Sequence, residues 1–154
     1  MKGVIQAIFI CPSAGEAMQP VSEVRAVPGR GLEGDRYFNQ HGYYSDKPGD
    51  GRELTLIESE ALEHLAQHSG IQIGPEQTRR NLVTRGVSLN SLVGKQFQIG
   101  EITVRGVRLC DPCSYLEGQT EGGVLKAMVD RGGLRVDILT GGMIRVGDDL
   151  ILEV

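Results

Sequence analysis

The sequence predicts a mainly β fold: a barrel-like, mostly antiparallel β domain with two short helices. Three observations carry that reading. Apolar residues alternate with polar ones at period two over 97–109 and again over 134–154. The 22 glycines fall at separated turn positions, dividing the chain into short runs and not into a collagen-like repeat. Only two segments have helical spacing, and no β-α-β-α order repeats, which argues against a doubly wound sheet. A chain of 154 residues is about one domain by size. Residues 1–154 are read as one, since no linker, internal repeat or low-complexity tract divides them.

The N-terminal "MKGVIQAIFIC" has a lysine before an apolar stretch, as a signal peptide would. Gln6 interrupts that stretch and no clean small-residue cleavage site follows, so Val4 to Ile10 reads as a buried first strand. After the loop "CPSAGEAMQP", "VSEVRAVPG" reads as a second strand ended by Pro28-Gly29. "GRGLEGDRYF" is a glycine-punctuated loop, and "NQHGYYSDKPGDG" is a polar surface loop. "RELTLI" is a short strand. The segment 59–69 places Ala61, Leu62, Leu65 and Ala66 on one helical face, with Gly70 as the stop.

"LVT", from Leu82, is a short apolar strand. Phe97 and Ile99 alternate, Gly100-Glu101 can turn, and Ile102 and Val104 resume the period. Val107 and Leu109 then fall on the opposite parity. One extra residue at Gly106 restores the face, which predicts a β-bulge there. A second helix fits 122–131, with Leu125, Met128 and Val129 on one stripe and Gly132 closing it. "LRVDILTGGMIRVGDDLILEV" supplies the last strands.

Composition excludes several classes. With 40% hydrophobic and 23% charged residues the chain is globular, not disordered. A net charge of −4 argues against general affinity for nucleic acid. No stretch approaches the roughly 20 apolar residues of a membrane-spanning helix. Three cysteines cannot all pair, and so small an odd number suits a reducing, cytoplasmic compartment.

The chemistry-bearing residues are read next. "VRLCDPCSYLE" sets Cys110 and Cys113 at C-x-x-C spacing behind a β-branched run. A closed zinc site needs a second half-site, but Cys11 is isolated and His41, His64 and His68 do not supply one. A thioredoxin-like dithiol needs a helix after the motif, whose dipole lowers the thiol pKa; Gly118 breaks the segment too early. Both thiols can equally be small apolar residues at a strand end. In "TRRNLVTRG", Arg79 and Arg80 point to opposite sides of an extended chain. One of them with the Asn81 amide suits a phosphate or a planar heterocycle, although a solvated charge pair gives the same pattern. Asp35 and Arg36, in a glycine loop, fit either a site or a satisfied turn.

The order of these segments narrows the choice. "GLEGDRY", "RELTLIESEAL", "RRNLVTRGVSLNSLVGKQFQIGEITVRGVRLCDPCSYLE" and "GGLRVDILTGGMIRVGDDL" follow one another over nearly the whole chain. Together they resemble the MOSC domain, the module named for the C-terminal part of molybdenum-cofactor sulfurases, and small standalone bacterial members in particular. The resemblance implies a β-barrel-like fold and a pocket that holds molybdenum cofactor (molybdopterin) or handles sulfur for it. It also implies Cys113, after Pro112, as molybdenum ligand or persulfide carrier. Arg79 and Asn81 of the R-x-N segment, with Arg80 between them, are implied beside the cofactor's phosphate or pterin. Asp35 and Arg36 match the family's loop at the pocket mouth.

Thiolate chemistry agrees with that implication, because a soft thiolate suits molybdenum and only a thiolate passes sulfur as a persulfide. Arg36, Arg79, Arg80 and Arg108 would lower the Cys113 pKa if they converge on it. The expected partners are a small-molecule cofactor or sulfur donor, with a molybdoenzyme or cysteine desulfurase beyond it. Two alternatives stand beside this reading: a non-catalytic scaffold that keeps the barrel, and a C-x-x-C dithiol oxidoreductase. Cys110→Ser separates the last from the first, since only a dithiol mechanism strictly needs both thiols.

Overall fold

The N-terminal apolar stretch forms β1 (Lys2–Ile10) in a computed structural model that describes residues 2–11, 17–35, 53–69, 80–109 and 133–152. Ile5 and Ile8 have opposite parity in the sequence, yet both belong to the main core. An irregularity between Ile5 and Ala7 in the pairing of β1 resets the alternation and lets both side chains enter.

The expected second strand is two strands. β2 (Gln19–Val21) pairs with β1, Ser22 breaks the run, and β3 (Glu23–Val27) joins a different sheet. The loop reading of "GRGLEGDRYF" is likewise amended, because Gly31–Leu32 forms a two-residue strand, β4, against Ala26 and Val27.

β5 (Leu54–Glu58) leads directly into α1 (Ser59–Ser69), and β6 (Leu82–Arg85) then pairs with β5 in parallel. This one parallel pair needs a crossover, and α1 lies in it. Residues 54–57 of β5 are all buried, because one side faces the barrel core and the other faces α1. Ala61 and Leu62 of α1 pack with Phe9, Cys11, Met18, Ile57 and Val83. Arg85 Nη1 reaches Ser59 Oγ and Glu63 Oε1, both at 2.7 Å, and holds the helix to β6.

A 3₁₀ turn at Leu89–Leu92 precedes β7 (Gln96–Ile99), β8 (Ile102–Leu109), β9 (Leu134–Thr140), β10 (Gly142–Arg145) and β11 (Asp149–Ile151). Strands β11-β7-β8-β9-β5-β6-β1 lie side by side, and β11 pairs again with β1 to close a seven-stranded, mostly antiparallel barrel. β10, β3 and β4 form a separate three-stranded sheet. Leu54, Leu56, Leu82, Phe97, Ile99, Val104, Leu134 and Leu150 fill the interior, none more than 2% exposed.

The bulge expected at Gly106 is present. Pairing of β8 with β9 steps from Gly106↔Val136 to Arg108↔Arg135, leaving Val107 as the extra residue. Gly106 also bonds to the strap below it: its N–H reaches Lys95 O and its carbonyl accepts from Gly94 N, both at 2.9 Å. A Cβ here would collide with the Leu92 carbonyl, so the backbones meet only because this residue is glycine. The helix expected over 122–131 lies outside the described residues.

Candidate functional site

The parallel register Leu56↔Leu82 sets Thr55 beside Asn81 one step earlier. Leu54, Leu56 and Leu82 point into the barrel, so Thr55 and Asn81 take the outer side of the sheet. Both are buried there, at 3% and 1% exposure. Thr55 N and Oγ1 donate to Asn81 Oδ1 at 3.2 and 3.1 Å, and Asn81 N donates back to Thr55 O at 3.1 Å. The amide end turns to β1, where Nδ2 donates to Phe9 O at 3.1 Å.

Asn81 Nδ2 also reaches Asp35 Oδ1 at 3.5 Å. Asp35 arrives from the β3–β4 hairpin through a tight turn, its N–H donating to Leu32 O at 2.9 Å. Gly34, at φ 88°, makes that turn in the left-handed region. The Asp35 carboxyl is fully buried, and its Oδ1 accepts the Cys11 N–H at 2.8 Å. Four chain segments thus meet at one carboxylate and one carboxamide: β1, the hairpin after β3, β5 and the start of β6.

A second acid supports the hairpin from below. Glu53 precedes β5 and stands across from Asp137 of β9, one step beyond Leu54↔Val136. Its Oε1 accepts the Gly29 N–H of the β3–β4 turn at 2.7 Å. Burial and a hydrogen bond to the Asp137 carboxyl push Glu53 up to about 7, against the opposing Gly29 N–H. Glu53 therefore holds its proton below neutral pH.

Of the residues singled out in the sequence, Asp35 and Asn81 are brought into contact. Arg80, next to Asn81, is buried at 7% exposure. Arg36, Arg79, Cys110 and Cys113 lie outside the described residues. β8 ends at Leu109, in a row that runs Leu109↔Leu134, Leu134↔Leu56, Leu56↔Leu82, directly beside the Thr55–Asn81 row. Thr55 and Glu53 were not singled out. The signal for Thr55 was available, since it is the polar residue between Leu54 and Leu56. Among the described residues no group of three His, Cys, Asp or Glu is placed to hold a metal.

The MOSC domain family matches residues 44–151, well over half of the sequence. This chain belongs to the MOSC domain family. No curated protein matches it. Among solved structures, this MOSC domain is similar to YuaD from Bacillus subtilis, with a TM-score of 0.78 and 18% identity over 97% of this chain and 94% of that one. YiiM from Geobacillus stearothermophilus aligns with a TM-score of 0.76 and 17% identity, over 99% of this chain and 75% of that one. YiiM from Escherichia coli gives 0.68 and 19%, over 100% and 71%. At such identities the likeness is one of fold, and it extends over nearly the full length of the chain.

Proposed function

We propose that this MOSC domain binds a molybdenum-pterin cofactor or carries sulfur, with Cys113 as metal ligand or persulfide carrier. The observation that supports the reading best is the meeting of Asp35 and Asn81. They lie 46 positions apart, belong to the two motifs that resemble the family's pocket, and share one buried hydrogen-bond cluster. β8, which leads to the cysteine motif, ends in the adjoining row.

The donor set fits such a group in one respect above all. In this reading ligation falls to Cys113, whose soft thiolate suits molybdenum. The buried Asp35 carboxylate suits the N–H groups of a pterin, since a carboxylate accepts up to about four hydrogen bonds. When bound, the cofactor would supply two-electron oxo-transfer or hydroxylation chemistry. Asn81 spends both ends of its carboxamide on the protein, so in this reading it positions Asp35.

In the sulfur-carrier form the Cys113 thiolate attacks the outer sulfur of a donor persulfide. The new bond is Cys113 S–S, the donor's S–S bond breaks, and the donor departs as a thiolate. A cysteine desulfurase is the class of donor that provides such a persulfide, in a reducing cytoplasmic setting. The test is anaerobic purification of the wild type and Cys113→Ser, followed by molybdenum and pterin analysis and by persulfide detection after exposure to a charged desulfurase. Metal, pterin or persulfide in the wild type and none in the variant is the expected result. Their absence from both ends the reading.

A further inference from the structure

Residue 53 is where the β3–β4 hairpin rests on the barrel. Gly31 of β4, at φ 104°, comes so close that a Cβ on it would lie 2.7 Å from the Glu53 carbonyl oxygen. In the turn before it, the Gly29 N–H donates to Glu53 Oε1 at 2.7 Å. The Ile138 N–H of β9 reaches the same oxygen at 3.5 Å. Backbone and side chain of one buried residue therefore carry the hairpin.

Two demands compete for that carboxyl. The amide donors at Oε1 favour the carboxylate, and an N–H bond to an ionised oxygen is roughly twice as strong as one to a neutral acid. Asp137 asks for the opposite, because two carboxyls join only while one keeps a proton. Arg105 stands across from Asp137 on β8 and favours its ionised form, so the proton resides on Glu53. Arg135, two positions along β9 on the same side, and Arg30, beside Gly29 in the turn, are the other described charged residues next to the pair. When Glu53 ionises, the half-buried Asp137 has Arg105 to turn to, and Glu53 keeps its two N–H donors.

We infer that Glu53 is a proton-operated clasp on the β3–β4 hairpin: protonated, it ties β5 to Asp137 of β9, and ionised, it lets Asp137 go and grips the Gly29 N–H. A pKa of about 7 sets the exchange near neutrality. The Gly29 N–H lowers that value, so Glu53 would titrate higher with the hairpin released. The grip is therefore strongest above pH 7 and weakens as the pH falls through it. Asp35 lies three residues beyond Leu32 of the same hairpin, so the clasp regulates how firmly Asp35 is presented to Asn81 and Cys11. The clasp itself involves no thiol; only its bearing on cofactor or sulfur chemistry rests on the proposed function.

NMR-detected exchange of the Gly29 amide with water, from pH 6 to 8.5 and corrected for the intrinsic base-catalysed rate, reads the clasp in the full chain without any cofactor. In the wild type, Gly29 protection should rise about fivefold or more across pH 7. Glu53→Gln cannot ionise, so its protection should stay level. Asp137→Asn should keep the rise but move its midpoint to lower pH, since the opposing carboxylate is gone. The Leu56 amide in β5 should show no rise in any of the three proteins. Level or falling Gly29 protection in the wild type overturns the clasp, as does an equal rise in Glu53→Gln. An unmoved midpoint in Asp137→Asn overturns the exchange between the two partners. None of these readings depends on Cys113, so failure of the clasp and failure of the cofactor or sulfur role are seen separately.

Discussion

Thr55 and Asn81 satisfy each other in both directions across the parallel β5–β6 pair. The Asn81 carbonyl oxygen accepts two bonds from Thr55, and the Asn81 amide N–H returns one to the Thr55 carbonyl. Nδ2 then ties the pair to Phe9 and Asp35. One side chain therefore joins β1, β5, β6 and the β3–β4 hairpin.

Asn81→Ala should cost about 2–6 kcal/mol in urea unfolding, because it strands the Thr55 N–H and the Phe9 carbonyl in a buried setting at about 1–3 kcal/mol each. Asn81→Asp keeps the acceptor for Thr55 but sets a second oxygen against Phe9 O and Asp35 Oδ1. Its deficit should shrink as the pH is lowered toward 4, where carboxylates gain protons. A deficit independent of pH would mean that Asp35 does not feel the new charge.

The buried Glu53 sets a pH dependence of the opposite kind from an ordinary salt-bridged acid. Its folded pKa, about 7, lies above the unfolded value of 4.5, so the folded state holds the proton more tightly. Stability is then full below pH 4.5 as far as this group is concerned, falls between 4.5 and 7, and stays reduced above 7. Glu53→Gln keeps an acceptor for Gly29 and offers Asp137 a permanent donor. It should flatten the Tm profile between pH 5 and 8 and exceed the wild type at pH 8. An unchanged slope would show that Glu53 ionises freely in the folded protein.

Gly106→Ala should lower stability by about 1–3 kcal/mol or more, since the added methyl meets the Leu92 carbonyl and a backbone atom cannot swing aside. The same change at Gly94, where a Cβ meets nothing within 4 Å, costs only the left-handed backbone strain at φ 77°. Guanidinium unfolding of both variants measures the difference. Equal losses would show that the strap over the bulge is loose.

Cys113 as ligand or carrier must be reachable and partly ionised near neutral pH, so iodoacetamide should label it faster than Cys110 and far faster than Cys11. Cys11 is the internal reference, being 0% exposed beneath α1, and a thiol so placed should react only on unfolding. Peptide-resolved labelling from pH 6 to 9 gives an apparent pKa, expected below the free value of about 8.5. Labelling of Cys113 no faster than Cys11 would remove it from both proposed roles.

The sequence was most informative where a physical period stood alone. Alternation over 97–109 predicts β7 and β8, and the parity change at Val107 predicts the bulge before any partner strand is known. Apolar spacing bounds α1 at 59–69 as observed. β4 has no such signal, because two residues carry no period and Ala26 and Val27 create the strand by pairing with them. The break at Ser22 is equally silent, as it reflects two sheets competing for one run. In the site, Asp35 and Asn81 were legible from motif order. Thr55 and Glu53 were not, because their importance comes from register: Thr55 matters only beside Asn81, and Glu53 only across from Asp137.

Closure of the barrel by β1 and β11 places a further demand on how the protein is made. β1 leaves the ribosome early and finds one side of its ladder in β6, but Lys2, Gly3 and Val4 wait for Ile151, Leu150 and Asp149. Until β11 is released the ring stays open, with unpaired edges on β1 and β7. So distant a pairing slows folding, since loop closure comes before the contacts that reward it. The same pairing brings residues 2 and 151 side by side. A circular permutant that links them and opens a surface turn elsewhere would convert the slowest closure into a local hairpin, and the nascent barrel would have its seam sealed from the start.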